Sequence, residues 1–558
     1  STATLKLTVL DIMDTTVGVI LPQIISTQGG VVTLEGTNIG PTSRKLKSMA
    51  NDEARTNATT FTVSFVSNTD TTYEYLTTNC INLVPGTKIS CVVPEGAGTR
   101  FSWVLKMGPL NKITEETRSL EFQNDFGYVF PNITEVTVGE NGGDGLLSTS
   151  GGTKILLTGT SFGPTSLPST EITMKYARGL NDDRVQDGYL AVNCQITVAN
   201  TKMLCQSSPG IGKNLEFWIY SLGGSQSNIL TDSGNTARHL LPIITRINVK
   251  PGTQDAADGR NSSTLPTVGG TPVLIFGENF GPISPIGIGN IVYDVGGIVY
   301  DTTYTATECR VVVAQTTIQC KTQAGIGAGH SWTITRGDQQ AANASTFLTS
   351  YAVPSINGIS GDSIHSSSTR GGTKTQLVEI DGNDLGGYKD VHELAVTYGP
   401  YAVNNIDKTA SLYRCTDIVI LTAHKRISCR MSVGTGKGHA VVLAVRGRAS
   451  NILLDQLSYA PPVVTVFQGP GASKANTDGD EMVLIDGTNF GPADSLTYNS
   501  SDYIDRVLYG HNTDPFDTWY DATSTCKVIR SHTRILCNTV PGFGKELRWA
   551  LQIDGQMS

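Results

Sequence analysis

Ten cysteines carry the clearest chemistry in this sequence. They fall into five local pairs: Cys80 with Cys91, Cys194 with Cys205, Cys309 with Cys320, Cys415 with Cys429, and Cys526 with Cys537. Ten residues lie between the partners of four pairs and thirteen between Cys415 and Cys429. Such thiols either oxidise to a disulfide or hold a metal. Zinc asks for short Cys-x2-Cys knuckles with histidine partners, which the sequence lacks, so the spacing reads as five disulfides made in an oxidising compartment. Each would staple a hairpin of two adjacent strands, contributing about 2 to 3 kcal/mol in the loop-entropy view.

Other spacings that suggest chemistry fail on context. Gly159-Thr160-Ser161-Phe162-Gly163 fits the nucleophile elbow, but no helical pattern follows it and the serine slot is Asn or Asp wherever the same turn recurs. Gly210-Ile211-Gly212-Lys213, Gly434-Thr435-Gly436-Lys437 and Gly542-Phe543-Gly544-Lys545 lack the hydroxyl residue after lysine and the first glycine of a phosphate loop. His392-Glu393 has no second histidine at zincin spacing. Asn181-Asp182-Asp183 and Asp478-Gly479-Asp480-Glu481 offer oxygens to calcium, although solvated loop acids explain them as well. No catalytic residue, cofactor or metal site is expected, and the chain reads as non-enzymatic.

Five sequons, at Asn57, Asn132, Asn261, Asn343 and Asn499, become candidate N-glycan sites once the cysteines place the chain outside the cell. Arg336-Gly337-Asp338 matches an integrin-binding tripeptide, but it aligns with Arg446-Gly447-Arg448 and Asp554-Gly555-Gln556, so a hairpin turn is the plainer reading.

The elements that position these residues are short and repeated. The 558 residues include 60 glycines, only 16% charged residues and a formal net charge of -8. With neither sign gathered into a block, no footprint for nucleic acid is visible. No run approaches the ~18 apolar residues of a spanning helix. Before each cysteine pair stand two glycines or their equivalent, an apolar strand and a glycine-bounded turn: GGVVTLEGTNIGP from Gly29, GGTKILLTGTSFGP from Gly151, GGTPVLIFGENFGP from Gly269, GGTKTQLVEIDGNDLGG from Gly371 and GDEMVLIDGTNFGP from Gly479. After each pair a Gly-x-Gly turn introduces a strand aligned on Trp103, Trp218, Trp332, Val441 and Trp549. The second cysteines lie 108 to 115 residues apart, one small domain per repeat. Runs of Val, Ile, Leu, Thr and Tyr between Gly, Asn, Asp and Ser clusters predict antiparallel sandwiches throughout.

A proline opening each unit, the Gly-Gly strand, the Gly-x-Asn-Phe-Gly turn and the cysteine-bounded hairpin together resemble the IPT/TIG domain, an early-set immunoglobulin-like β-sandwich. The resemblance covers nearly the whole chain in five copies, and cysteine-containing tandem copies resemble the extracellular arrays of plexins, fibrocystin and amoebal adhesion proteins. It implies an all-β chain of five sandwiches in an elongated rod. The fourth copy departs most, with Leu385-Gly386-Gly387 replacing Phe-Gly-Pro.

Taking Pro22, Pro131, Pro242, Pro354 and Pro461 as openings divides the chain into an N-terminal orphan strand at 1–21 and units at 22–130, 131–241, 242–353, 354–460 and 461–558. The fifth unit has only nine residues after Trp549 and lacks its closing strand. Ala3, Leu5, Leu7 and Val9 alternate with polar residues as a half-buried strand does. Together these suggest a head-to-tail joint in which Ala3, Leu5, Leu7 and Val9 of one molecule pack beside Trp549 of the next. The expected function is an extracellular structural or adhesive protein, a filament or surface-fibre subunit whose partners are its own copies or cell-surface proteins. A segment of a longer receptor or adhesin ectodomain is the second reading, and a carbohydrate-binding accessory array the third.

Overall fold

The computed structural model describes residues 5–9, 24–39, 59–67, 74–84, 86–109, 118–139, 144–178, 188–230, 237–283, 288–294, 303–341, 346–362, 364–371, 377–400, 413–495, 497–511, 513, 515 and 518–558. Among these, ten sheets form five successive pairs, each enclosing its own buried cluster, and one further two-stranded sheet joins Leu146–Leu147 to Arg238–His239.

The second unit shows the plan. One sheet orders Asn132–Val138, Lys154–Thr160, Lys202–Gln206 and Val192–Val198, and the other orders Tyr189–Leu190, Ile172–Arg178, Leu215–Leu222 and Ile229–Leu230. Lys154–Thr160 alternates exposed and buried positions, as a strand with one face on a core must. The five cysteine pairs are bonded as the spacing predicts, each between neighbouring segments of the first sheet. Phe162, Phe280, Leu385 and Phe490 are fully buried and close the ends of the second to fifth cores. The residue before each of them, Ser161, Asn279, Asp384 or Asn489, has φ near +60°, which small polar side chains tolerate. Asn279 and Asn489 also donate through Nδ2 to the carbonyls of Leu241 and Pro461, tying the turn to the entering linker.

Two expectations change. The N-terminal strand is not an orphan: Leu5–Val9 pairs antiparallel with Gly30–Ile39, Leu5 opposite Gly36 and Val9 opposite Val32. Asn132–Val138, Ile243–Val249, Ser355–Ser360 and Val463–Gln468 take that place in the later units. The first unit therefore includes residues 5–9 and does not open at Pro22, which lies outside the described residues. Ile24–Ile25, just after it, pairs parallel with Gly127 and Tyr128, as Leu146–Leu147 does with Arg238–His239. Alternation identifies a half-buried strand but not its partner, and the first unit's own ladder supplies one. Leu5, Leu7 and Val9 are thus already paired and are not free to complete another molecule's fifth unit; Ala3 lies outside the described residues.

The second change is a register. Phe65 faces Trp103, Tyr293 faces Trp332, Tyr398 faces Val441 and Tyr509 faces Trp549, but Tyr176 faces Phe217. Phe217 is 1% exposed and stacks on Tyr176 with centroids 5.7 Å apart, while Trp218 lies half-buried on the other face. One residue of offset reverses the face of a strand, so aligning tryptophans named the wrong neighbour. Phe217→Ala should cost about 3 to 5 kcal/mol and Trp218→Ala far less, read by urea unfolding with hydrogen exchange in the second unit.

Candidate functional site: the interdomain joints

A tyrosine holds the Gly-x-Gly turn of every unit. The hydroxyls of Tyr75, Tyr189, Tyr304, Tyr413 and Tyr520 donate to the carbonyls of Ala97, Ile211, Ile326, Thr435 and Phe543 at 3.1, 2.8, 3.3, 3.4 and 2.9 Å. The same oxygens accept from the N–H of those five residues at 3.3, 2.9, 3.1, 3.2 and 3.0 Å. One side chain thus satisfies both backbone groups of the turn's middle residue and fixes where that residue points. Burial raises the hydroxyls of Tyr189, Tyr304 and Tyr413 above the ordinary value, so they remain protonated donors.

The clamped residue projects into the next unit. Ala97 belongs to the buried core of the second unit and Ile326 to that of the fourth, each 2% exposed. The glycine after the buried Phe or Leu receives it: a Cβ on Gly163, Gly281 or Gly491 would come within 2.8 Å of Ala97, 2.4 Å of Ile211 or 2.7 Å of Thr435. These glycines also have φ of 82°, 79° and 84°, so a side chain there is excluded twice. From the other side a two-residue hairpin turn closes on the joint. Gly223 meets Gly98, Gly337 meets Gly212, Arg446 meets Gly327 and Asp554 meets Gly436. Both residues of each turn, through Gly224, Asp338, Gly447 and Gly555, have positive φ, the type I′ geometry that suits paired strands.

Polar latches complete three joints. Thr149 donates to Gln315 Oε1, and Gln315 Nε2 donates back to the Thr149 carbonyl at 2.8 Å. Thr267 donates through its N–H and hydroxyl to Asp384 Oδ1 at 3.0 and 3.2 Å, His424 Nδ1 lies 2.9 Å from Thr267 Oγ1, and Arg260 reaches Asp384 Oδ2 at 3.0 Å. Thr369 Oγ1 lies 2.9 Å from His532 Nδ1. Gln315, His424 and His532 each stand five residues before the second cysteine of their unit.

The fifth unit has the clamp without the cover. Phe543 is 82% exposed, and Thr477, which aligns with the buried Thr149, Thr267 and Thr369, is exposed. A cleft of about 570 Å³ runs between the 471–477 segment, the Phe543 turn and Trp549. Trp549 stacks on Tyr509 at 4.5 Å but is only half-buried, whereas Trp103 and Trp332 are 1% and 0% exposed.

Residues 260–350, within the third unit, match the IPT/TIG domain. None of the curated proteins compared with the chain matches it. Among solved structures, the plexin A4 extracellular region is similar over 97% of this chain at 14% identity and a TM-score of 0.17, and this chain spans 47% of its length. The bacterial integrin-binding protein invasin is similar over 96% of this chain and 99% of its own at 10% identity and a TM-score of 0.18. The N-terminal eight Ig domains of Down syndrome cell adhesion molecule are similar over 89% and 62% at 9% identity and a TM-score of 0.15. At these scores the likenesses carry no functional argument.

The sequence-marked residues distribute around the five sandwiches. Asn132, Asn261 and Asn499 are exposed; Asn57 and Asn343 lie outside the described residues. Arg336 is 1% exposed and donates through Nε to the Phe280 carbonyl, and Asp338 pairs with Arg178 of the second unit. The Arg-Gly-Asp motif is therefore structural, part of the joint, and its hairpin equivalents begin at Val445 and Ile553, one residue from the sequence alignment. Asn181-Asp182-Asp183 lies outside the described residues; Asp480 and Glu481 bind Asn538 and Asn476. Among the described residues no three His, Cys, Asp or Glu gather as metal ligands.

The clamp tyrosines are what the sequence reading missed. Tyr75, Tyr189 and Tyr304 each stand five residues before a first cysteine, a signal open to inspection; Tyr520 stands in the sequence beside Phe516 and Trp519, an aromatic cluster outside the repeat pattern, and its role shows only in its bonds to Phe543. Tyr304→Phe should release the Ile326 backbone and speed exchange of its amide, costing about 1 to 3 kcal/mol at the joint between the third and fourth units.

Burial also pushes His239 and His330 down to about 4. A histidine whose folded value lies below its unfolded one takes up protons on unfolding, so its contribution is complete above pH 6.5 and is lost as pH falls toward 4. Acidification across that window should weaken the second and third units by about 3 kcal/mol per histidine, measured by urea unfolding with His239→Phe and His330→Phe as controls that flatten the profile.

Proposed function

We propose that this chain is part of an extracellular structural and adhesive rod, non-enzymatic, secreted or held at the cell surface, that engages protein partners through exposed loops and sheet edges. The observation that carries this reading is the joint repeated four times between consecutive units, in which a clamped turn residue of one sandwich is housed by a glycine and a hairpin turn of the next. A geometry rebuilt at every junction spaces domains at fixed angles, which suits a scaffold rather than a flexible tether. The bonded cysteine pairs support an oxidising compartment. Exposed Asn132, Asn261 and Asn499 are accessible to glycan transfer.

Membership of a longer surface receptor or adhesin ectodomain is favoured over a self-assembling fibre subunit, because Leu5–Val9 is already paired within its own unit. The carbohydrate-binding reading asks for an aromatic platform particular to one unit, and the cluster of Phe516, Trp519 and Tyr520 in the fifth unit does not supply it: Tyr520 is the fifth clamp and the Trp519 ring packs over Gly510, while Phe516 lies outside the described residues.

Negative-stain images of native material should show straight, short rods that sharpen no further on cross-linking, with glycosidase treatment lowering the apparent mass. Beads joined at random angles, or an enzyme-resistant mass, contradict the reading. Lengthening by regular five-domain repeats would restore the fibre.

A further inference from the structure

We propose that the open face of the fifth unit is one half of another joint, and that its occupant is a further IPT/TIG-type sandwich of the same array, entering through its own leading strand. This goes beyond the rod reading, since it holds whether or not the rod is adhesive.

The hardware is already built. Tyr520 clamps both backbone groups of Phe543 at 2.9 and 3.0 Å, as the other four tyrosines clamp residues that lie within joints. Yet Phe543 is 82% exposed, against 2% for Ala97, Ile326 and Thr435. A large aromatic side chain held out into water by two hydrogen bonds is poised for burial. Thr477 is exposed beside it, where Thr27, Thr149, Thr267 and Thr369 are 4%, 2%, 1% and 1% exposed.

The other units specify what fills the cleft. In each, a closing segment buries one ring, Tyr128, His239, Tyr351 or Tyr459, with proline three residues on at Pro131, Pro242, Pro354 or Pro462. An asparagine in that segment grips the first strand in two units. Asn228 accepts from the Ile133 N–H and donates to its carbonyl at 2.7 and 2.9 Å, and Asn451 does the same to Ile356 at 2.9 and 2.9 Å. The corresponding residue of the fifth unit is Val464, opposite Gly487 as Ile133 is opposite Gly159. The cleft beside Trp549 thus suits a strand that presents Asn, then Tyr or His, then Pro, and runs directly into the sandwich that covers Phe543.

A second copy of this chain does not fit. The first unit has Gly86 where Gln315, His424 and His532 supply latches, and its hairpin joins the long strands Thr99–Pro109 and Arg118–Tyr128 in place of a two-residue turn. Thr477 would find no side chain to bond, and Phe543 no turn to close over it.

The chain itself supplies the probe. Ser558 N–H donates to the Leu551 carbonyl at 2.8 Å as Ser450 N–H donates to that of Leu443 at 2.7 Å, so the two serines are equivalent. A chain extended after Ser558 by a copy of residues 451–558 therefore presents a strand and sandwich in register. Hydroxyl-radical footprinting should show Phe543 oxidised several-fold more slowly than in the natural chain, and hydrogen exchange over 545–551 should slow. Replacing the copied Tyr459 by Ala, or the copied His532 by Ala, should reverse part of that protection. If the copied sandwich does not fold, a peptide of residues 451–462 added to the natural chain gives the strand half of the answer: protection over 545–551, lost in the Tyr459→Ala peptide. Unchanged Phe543 oxidation in a folded extended chain, or no protection by the peptide, overturns the proposal. Concentration-dependent self-association of the natural chain with Phe543 protected also overturns it, in favour of a second copy.

Discussion

The array depends on one hydroxyl in each unit that bonds both polar groups of a single turn residue. A Gly-x-Gly turn at the end of a sandwich has little side-chain mass to hold it, and its middle peptide would otherwise face either water or an uncovered neighbour. By donating to the carbonyl and accepting from the N–H, the clamp tyrosine makes the turn part of the core behind it. Its ring reaches that core directly: Tyr304 packs edge-on to Tyr351 at 5.5 Å and Tyr413 to Tyr459 at 5.7 Å. The ring that closes a sandwich and the ring that aims its joint are therefore in contact, and the closing segment and the joint are assembled together.

That coupling explains the glycine-bounded turn better than the sandwich alone does. The first glycine of the turn lets the backbone pass the buried Phe; a Cβ on Gly277 or Gly487 would lie 2.4 Å from the ring of Phe280 or Phe490. The last glycine has a different duty, facing outward to house the neighbour's clamped residue. What reads as one motif is two sites back to back, one serving its own core and the other the preceding domain. The fourth unit retains both glycines although its Phe-Gly-Pro is Leu385-Gly386-Gly387, and Gly386 faces Ile326 as its sisters face theirs. Leucine suffices as the plug because only its volume matters; the glycine admits no such exchange.

The sandwich class, the cysteine pairing and the period were legible because each rests on local spacing repeated several times. The neighbour of a strand was not. Leu5, Leu7 and Val9 declare a half-buried strand, yet nothing in their alternation says which ladder they join, and the ladder proved to be Gly30–Ile39. Trp218 failed for a related reason, since identity of residue type was followed where distance from the Gly-x-Gly turn decides the face. The joints were least legible, being made from single residues of four separate segments. Even so, Tyr five residues before a first cysteine and Gln or His five residues before a second were both present to be counted. The Arg-Gly-Asp tripeptide shows the converse, a conspicuous motif whose arginine is needed inside a joint.

Common geometry with unlike polar contacts also bears on how each domain docks on its covalent neighbour and not on another unit of the chain. Every joint uses the same clamp, glycine and hairpin turn, so shape alone would let any unit dock on any other. The latches differ: an amide with Thr149, a carboxylate, an imidazole and a guanidinium around Thr267, an imidazole with Thr369. Asp384 is 8% exposed, and Arg260 on the neighbouring unit is what neutralises it there. Docking the fourth unit behind any unit without that arginine would leave a buried carboxylate unpaired, a penalty of several kcal/mol, whereas the correct neighbour gains little beyond cancelling it. Discrimination by penalising the wrong neighbour is the economical route when the attractive surface is shared. The repeat thus supplies the frame for joining, the polypeptide fixes which domain follows which, and polar residues that vary at the latch positions disfavour docking out of that order.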